Sequence, residues 1–297
     1  MLLVSALMLV SLASSSGESP QESSGKDPVK ALLAADAPAG KSPKSYETGL
    51  YRSLFRESGK SEEEIKAKLN AAWNQLFYGN DENERVYFPL EDGTAYIKDV
   101  GNDDVRSEGM SYGMMLAVQL DRRDEFNRLW RWTKEHMLYK EGPMKGYFAW
   151  QCAPDGTVRG KTPASDGEEY FAMALFFAAG RWGAEGGVGY RAEADAILHA
   201  MLHRERENGG VVAGVTDMFN RKERQVVFVP SGDAATFTDP SYHLPAFYEL
   251  WSRWAKEDRG FWKDATATSR KFFRRAAHPQ TGLFPDYAGF DGKPKKA

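Results

Sequence analysis

Residues 104–115 read DVRSEGMSYGMM, and an apolar helical pattern begins within this stretch. Met110, Met114 and Val118 recur at the spacing of one helix face. A carboxylate, Glu108, stands before them between an arginine and two glycines, and glycines allow another chain segment or a ligand to approach closely. The segment therefore predicts a buried helix whose first turn carries polar side chains.

Comparable periodic segments follow along the chain. We predict eight helices: near 47–58, over about four turns after the capping box Ser61–Glu64, and near 108–121, 124–139, 167–181, 190–204, 240–256 and 260–277. Three short alternating stretches with turn residues predict β-hairpins, over 86–97, 146–158 and 218–229. Helices of similar length joined by glycine- and aromatic-rich loops predict an all-α helical toroid with its binding surface on the loops at one end.

The composition excludes several classes of protein. The 297 residues carry 39 Lys and Arg against 42 Asp and Glu, a net charge of −3, so no basic surplus favours nucleic acid or an anionic membrane. A single cysteine, Cys152, excludes an internal disulfide. Aromatic residues make up 13% of the chain and include 8 Trp, which favours a surface that stacks on flat rings or sugars.

Two histidines have a spacing that metal sites use. His199 and His203 are four residues apart, but Ala200 occupies the position where a metalloprotease motif has Glu. No Cys/His cluster has the spacing of a zinc site. We therefore predict a solvated helix face at these histidines and no metal.

The amino-terminal segment resembles an export signal. Residues 2–13 read LLVSALMLVSLA, an apolar run of roughly 12 residues that is shorter than the ~20 needed to span a bilayer. Residues 14–45 are mainly Ser, Gly, Pro, Ala and Lys, which predicts a flexible tether. We expect a signal-like segment over 1–13, a linker over 14–45, a folded domain over 46–297, and export to the periplasm or the medium with no further membrane association.

Polar and aromatic side chains gather in three segments: 103–114, 163–170 and 238–245. A structural interpretation explains them as well as a catalytic one, because acidic residues in a first helical turn are ordinary capping chemistry. Asp166 and Glu169 form a capping box on that interpretation, and Tyr170 and Tyr242 are core residues with bonded hydroxyls. The residues alone leave both interpretations open.

Resemblance to a known family adds to this reading. The segment DVRSEGMSYGMM is similar to the signature of glycoside hydrolase family 8, and the similarity continues through GYFAWQC (146–152), ASDGEEYFAMALFFA (164–178) and DPSYHLPAFYELW (239–251). It implies an (α/α)6 barrel and inverting hydrolysis of β-1,4-linked glycans. Within the family, YETGLYRSLFRESGKSEEEI, GYFAWQCAPDGT and TDPSYHLPAFYEL most resemble the reducing-end xylose-releasing exo-oligoxylanases, which act on xylo-oligosaccharides.

The resemblance implies a role for five side chains. Glu108 would be the general acid that protonates the glycosidic oxygen, and Asp166 would hold the sugar in the −1 subsite. Trp150 would stack on a neighbouring xylose, Tyr242 would lie near the attacking water, and Arg106 would orient carboxylates beneath the sugar. No cofactor is implied, since acid and base carboxylates suffice for inversion.

A general acid at Glu108 needs an unusual environment. The helix N-terminus and Arg106 both favour its anion, whereas a general acid must be protonated near neutral pH. We therefore expect burial and the like charge of Asp166 to raise the pKa of Glu108.

The resemblance also places the catalytic base. The family's base is an Asp in a D-S-Y-R-type segment, and this sequence ends at GFDGKPKKA, which matches the family just before it. The fold has twelve helices, and the sequence predicts eight. The resemblance therefore implies that about a third of the domain lies beyond Ala297, together with the loop histidine of the exo-acting subgroup. The chain as written is then expected to be aggregation-prone and unable to turn over substrate. The open alternatives are an endo-acting xylanase or endoglucanase, a glycan-binding homologue without activity, and a helical toroid of another class such as a lyase.

Overall fold

The computed structural model describes residues 51–80, 83–183 and 188–296. The chain divides into two compact units, Met1–Glu62 and Glu63–Ala297. In the first unit, helix α1 (Leu54–Glu57) begins after Ser53, whose Oγ accepts a hydrogen bond from the Arg56 N–H. This helix is shorter than predicted within the described part. The signal-like segment and the tether lie outside the described residues.

Seven longer helices follow. They are α2 (Glu62–Tyr78), α3 (Ser107–Gln119), α4 (Arg123–His136), α5 (Ser165–Trp182), α6 (Tyr190–Asn208), α7 (Pro245–Trp254) and α8 (Arg259–Ala276). The described residues thus contain eight α-helices, the predicted number. Helix α3 packs on α4, α5 on α6, and α7 on α8, while α3 and α5 also lie side by side and α5 contacts α7. None of the described helices combines the length and the hydrophobicity that a membrane span requires.

The apolar face of α3 is buried as its spacing predicted. Met110 and Met114 have no exposed surface, and Val118 is 1% exposed. Gly113 lies on the same helix, where an added Cβ would come within 2.5 Å of Ile97 Cγ1. The glycine is therefore needed for the strand that carries Ile97 to approach α3.

Aromatic side chains fill the space between the helix pairs. The Trp130 ring lies 5.9 Å from that of Phe171, and the Phe148 ring lies 5.1 Å from Phe171, all three being buried. Truncating such a ring costs about 3–5 kcal/mol of unfolding free energy. This core fixes the positions of α4 and α5 beneath the loops.

The first predicted hairpin is confirmed. Strand β1 (Tyr87–Pro89) pairs antiparallel with β2 (Ala95–Ile97). Gly93 in the turn adopts φ = 82°, a conformation that favours glycine. Asp92 Oδ1 accepts hydrogen bonds from the backbone N–H and the hydroxyl of Thr94, which closes the turn.

The other two hairpins are present but shorter than predicted. Strand β4 (Gln151–Cys152) pairs with β5 (Val158–Gly160), and β6 (Phe219–Asn220) pairs with β7 (Gln225–Val226). Strand β3 (Val105–Arg106) adds to β4 and was not predicted, because a two-residue strand has no readable period. It joins the segment before α3 to the loop before β4.

Helix α7 begins later than predicted. A separate 3-10 helix, Pro240–Tyr242, precedes it, and the α-helix starts at Pro245. Proline favours the first position of a helix and keeps the residue before it out of the helical region, so Leu244 adopts φ = −116° and ψ = 63°. The break separates the 3-10 helix, which ends at half-buried Tyr242, from α7.

Candidate active site

The first turns of α3 and α5 touch. An added Cβ on Gly167 would lie 2.5 Å from Ser107 Oγ and 2.7 Å from Ser107 Cβ, so only glycine permits this approach. It brings together Glu108 on α3 and Asp166 on α5, named here the carboxyl pair. The two carboxyl groups thus lie at the same end of α3 and α5, the end where each helix begins.

Glu108 has the environment of a general acid. The side chain is half-buried, and Ser107 Oγ donates a hydrogen bond to Glu108 Oε2 over 3.4 Å. Burial raises the pKa of Glu108 and outweighs the opposing effects of the helix backbone, Arg106 and Ser107. The direction expected from the sequence is confirmed, and burial is its largest cause.

The negative charge of Glu108 affects the pKa of Asp166, the other member of the carboxyl pair. Asp166 is 6% exposed, and its Oδ1 has no hydrogen-bond partner among the described residues. Burial, followed by the negative charge of Glu108, raises the pKa of Asp166 well above its usual range. The pKa values of both carboxyls are therefore raised, and the ionisation of one disfavours that of the other.

Two tyrosines adjoin the carboxyl pair. Tyr242, at the end of the 3-10 helix, and Tyr112, on α3, are both half-buried. Burial and the charges of Asp166 and Glu108 raise the pKa of both phenols, so each remains a neutral donor. Tyr242 and Tyr170 are partly buried and pack against the core, in part agreement with the structural interpretation. Tyr112 was missed, although its position four residues after Glu108 places it on the same helix face.

Arg106 contacts two carboxylates in the segment before α3. Its Nε donates to Asp104 Oδ1 over 3.0 Å, and its Nη1 lies 3.3 Å from Asp99 Oδ2. It therefore holds the segment before α3, and it acts on Glu108 through its charge alone. The guanidinium also lies 5.5 Å from the centre of the Trp150 ring, within the range of a cation–π contact.

Trp150 lies beside the same helix end. Its carbonyl oxygen accepts the Ser107 N–H over 2.9 Å, and the half-buried ring rests on Gly160, where an added Cβ would overlap Nε1. The ring is thus outside the buried core and is held between Arg106 and a glycine. A sugar platform is compatible with this position.

The capping box predicted for Asp166 and Glu169 is wrong. Helix α5 starts after Ala164 without a side-chain cap. Glu168 accepts the Phe148 N–H over 3.0 Å, and Glu169 Oε1 lies 2.5 Å from Tyr248 Oη. Both glutamates are completely buried, and burial raises their pKa values well above the usual range. Tertiary partners that a local pattern cannot reveal have replaced the cap.

Asp239 is a third carboxyl near the pair. It is 7% exposed, and burial raises its pKa. Its Oδ1 accepts hydrogen bonds of 2.7 Å from both the N–H and the hydroxyl of Ser241. This carboxylate is therefore engaged as the N-cap of the 3-10 helix.

The solvated helix face predicted for His199 and His203 is wrong for His203, which is 3% exposed. Ring nitrogens of the two histidines and an oxygen of Glu257 lie within 4.8 Å of one another. His203 Nδ1, however, lies 2.8 Å from Arg221, a donor, so its Nε2 carries the proton that Asp258 accepts. Both ring nitrogens of His203 are thus engaged, one with Arg221 and one with Asp258, in a cluster of ion pairs and hydrogen bonds.

His199 should make the unfolding free energy pH-dependent. Its two ring nitrogens lie 2.7 Å from carboxylates of Glu257 and Glu207. Burial lowers its pKa, but the two carboxylates outweigh burial and raise the pKa above 6.5. The stabilisation is therefore fully present below pH 6.5 and is lost as the pH rises through the folded-state pKa. The melting temperature of the wild type should fall between neutral and alkaline pH, and we expect His199→Gln to reduce this fall. His278→Gln, at an exposed histidine, is the control and should leave the fall unchanged.

Comparison with known proteins agrees with this site. Residues 83–297 match the family described as Glycosyl hydrolases family 8. The reducing-end xylose-releasing exo-oligoxylanase Rex8A of Paenibacillus barcinonensis is 52% identical over 252 residues, which are 84% of this chain and 64% of the relative. The reducing end xylose-releasing exo-oligoxylanase of Halalkalibacterium halodurans is 49% identical over 253 residues, covering 84% and 63%. The chain thus spans just under two thirds of these relatives.

The fold agrees as well. A structure of Rex8A complexed with xylose superposes with a TM-score of 0.79 at 51% identity and covers 85% of this chain and 65% of that one. Family 8 enzymes have the (α/α)6 barrel, so the predicted fold class is confirmed. With the matched residues, the shared fold and the DVRSEGMSYGMM segment at the buried carboxyl pair, the chain belongs to glycoside hydrolase family 8.

Proposed function

We propose that the protein hydrolyses β-1,4-xylosidic bonds in xylo-oligosaccharides and releases xylose from the reducing end with inversion. The observation that carries the proposal is the carboxyl pair: half-buried Glu108 and buried Asp166 stand in the two helix turns that touch, and burial raises the pKa of both. Two relatives at 49–52% identity, named as reducing-end xylose-releasing exo-oligoxylanases, support the substrate class.

The mechanism uses a proton on Glu108, whose raised pKa favours the protonated form. Protonated Glu108 donates to the glycosidic oxygen as the bond to the anomeric carbon breaks, and the departing sugar leaves as a neutral alcohol. A water attacks the anomeric carbon from the opposite face, which inverts its configuration. Asp166 binds hydroxyls of the sugar at the bond, Tyr242 orients the water, and Trp150 stacks on the neighbouring xylose.

We place the catalytic base outside the described residues. The carboxylates close to the pair are already engaged: Asp239 caps the 3-10 helix, and Glu168 and Glu169 are completely buried. Asp286 is exposed. The remaining part of the relatives, which this chain does not span, is the proposed source.

The test compares two polypeptides, this chain and a version extended by the rest of a family 8 domain. Each is incubated with xylotriose, and proton NMR follows the anomer that forms first. We expect the extended form alone to release xylose together with xylobiose. The new reducing end, on xylobiose, should form first with the inverted configuration. Turnover by the 297-residue chain would instead assign the base to Asp239 or Asp286. Binding without turnover in either form would make the protein a glycan-binding homologue.

A labelled substrate separates exo from endo action. Xylohexaose with an isotopic label in its reducing-end xylose should release the whole label as free xylose in the first cut, together with unlabelled xylopentaose. Labelled fragments of two or more sugars would identify an endo-acting enzyme, and an unsaturated product would identify a lyase.

We also propose export, on the basis of residues 2–13 and the tether that follows them. In a bacterial host, the protein should lose its first residues and be found in the periplasm or the medium. Cell fractionation with amino-terminal sequencing measures both, and an unprocessed protein in the cytoplasm would contradict the proposal.

Trp150 should be a sugar platform whose position depends on Gly160. We expect Trp150→Ala to weaken xylotriose binding about two- to tenfold, the range of one ring contact, with little change in melting temperature. Gly160→Ala should weaken binding similarly, because its Cβ displaces the indole. Gly260→Ala, where nothing lies within 4 Å, is the control. Calorimetry measures binding, and strong destabilisation with unchanged affinity would make Trp150 a core residue.

A further inference from the structure

Glu169, Tyr248 and Tyr242 form a chain of contacts from the core to the site. Glu169 and Tyr248 have no exposed surface. Tyr248 Oη lies 2.5 Å from Glu169 Oε1 and 3.2 Å from the carbonyl oxygen of Tyr242. The second contact reaches the backbone of the residue whose ring adjoins the carboxyl pair.

The number of protons decides the direction of these hydrogen bonds. A phenol has one proton, and the Tyr242 carbonyl can only accept. If Glu169 were ionised, both neighbours of Tyr248 Oη would be acceptors and only one could be satisfied. If Glu169 is a neutral carboxylic acid, it donates to Tyr248, and Tyr248 donates to Tyr242. Both contacts are then hydrogen bonds.

The surroundings of Glu169 favour the neutral acid. Titratable groups interact with it from its own helix (Asp166, Glu168 and Tyr170), from α3 (Tyr112) and from α7 (Tyr248), and each is acidic. Its Oε2 is buried without a hydrogen-bond partner among the described residues. Burial is the main cause that raises the pKa of Glu169. An ionised carboxylate here would have no cation among the described residues to compensate its desolvation.

The Tyr242 peptide is held at three points. Its N–H donates to the Asp239 carbonyl over 3.1 Å, and its carbonyl faces Tyr248. The next residue, His243, lies 3.0 Å from Thr238 Oγ1 and 2.9 Å from Ser269 Oγ. The contact with Tyr248 is the one of these that leads to α5, the helix that carries Asp166.

We propose that Glu169 is a positioning residue that, as a neutral acid, donates to Tyr248 and thereby fixes Tyr242 over the carboxyl pair. The inference rests on the proposed function for the role of Tyr242 and deepens it. Glu169 acts through Tyr248 and touches no reacting atom. It connects α5 with the 3-10 helix through this chain of two hydrogen bonds.

The test uses three variants. Glu169→Gln keeps a neutral donor toward Tyr248, Glu169→Met keeps the volume without a donor, and Tyr248→Phe removes the hydroxyl. In the form that hydrolyses xylotriose, we expect kcat to fall about tenfold in Glu169→Met and Tyr248→Phe, with KM changed less, and to remain within about twofold in Glu169→Gln. The double variant Glu169→Met with Tyr248→Phe should be no worse than either single change, because both break the same chain.

Two readouts do not need activity. Hydrogen exchange followed by mass spectrometry should speed up in the peptide around Tyr242 for Glu169→Met and Tyr248→Phe, and should not for Glu169→Gln. The infrared spectrum of the wild type at neutral pH should contain a protonated-carboxyl band that Glu169→Gln removes. Glu168→Gln, which changes a carboxyl of equal burial with no contact to Tyr248, should leave the exchange near Tyr242 unchanged.

The opposite results overturn the inference. A Glu169→Gln variant as impaired as Glu169→Met would identify an ionised acceptor. Variants that lose melting temperature while exchange near Tyr242 and the ratio of kcat to KM stay constant would reduce Glu169 to a structural role. An extended form that releases no xylose from xylotriose would contradict the proposed function, while the exchange and infrared results would still decide the inference about the proton chain.

Discussion

Replacing Glu108 by Gln should lower xylose release from xylotriose about 10²–10⁴-fold, with substrate affinity retained. Glutamine has nearly the same shape but cannot give a proton to the leaving oxygen. The loss should shrink on an aryl xyloside whose leaving group is stable without protonation. Initial rates on both substrates and calorimetric affinities, in the form that hydrolyses xylotriose, measure the effect.

The pH profile adds a second signature. Since burial raises the pKa of Glu108, wild-type activity should fall as the pH rises through that folded-state pKa, and this alkaline limb should be absent in Glu108→Gln. Glu135→Gln, at an exposed position on α4, is the matched control and should behave as the wild type. Activity within a few-fold of the wild type would exclude Glu108 as the acid.

Gly167→Ala should reduce kcat about 10²-fold, because a new Cβ 2.7 Å from Ser107 Cβ forces the first turns of α3 and α5 apart. A displacement of that size separates Glu108 from Asp166. The Ser107 Cβ is fixed to the backbone and cannot rotate away, so the helices themselves must move. Thermal unfolding and steady-state kinetics measure the two consequences.

A control and a rescue isolate this cause. Gly180→Ala lies on the same helix with nothing within 4 Å, and it should stabilise the protein by about 0.5–1 kcal/mol, as alanine does in helices. Adding Ser107→Gly to Gly167→Ala removes the obstructing atoms and should restore most of the lost kcat. Equal losses in the single and double variants would show that the contact between the two turns does not set the geometry of the carboxyl pair.

The periodic parts of the fold could be predicted from the sequence. The face of α3 that contains Met110 and Met114 is buried as its spacing indicated, because one helix turn brings such residues onto one side. The turn at Asp92 and Gly93 was predicted from residues that favour its backbone conformation. Strand β3 and the late start of α7 were missed, since the first depends on a distant partner and the second on Pro245.

The sequence indicated which residues form the candidate site better than it indicated which partners they contact. Glu108, Asp166, Trp150 and Tyr242 were identified by resemblance to family 8, and the structure brings them to one end of the helices. Arg106 was expected to orient carboxylates, and the structure identifies Asp99 and Asp104 as the carboxylates it contacts. The local motif contained the correct residue types, but ion-pair partners depend on which loops pack beside it.

The sequence by itself determined the eight helices, the hairpin turns and the helical segment that carries Glu108, because these depend on neighbours within a few positions. The tertiary structure alone decided that Glu169 faces Tyr248 and does not cap its helix, and that His203 is buried. It also decided that burial is the main cause of the raised pKa of Glu108. Burial and proton sharing arise between segments far apart in the chain, so no local pattern contains them.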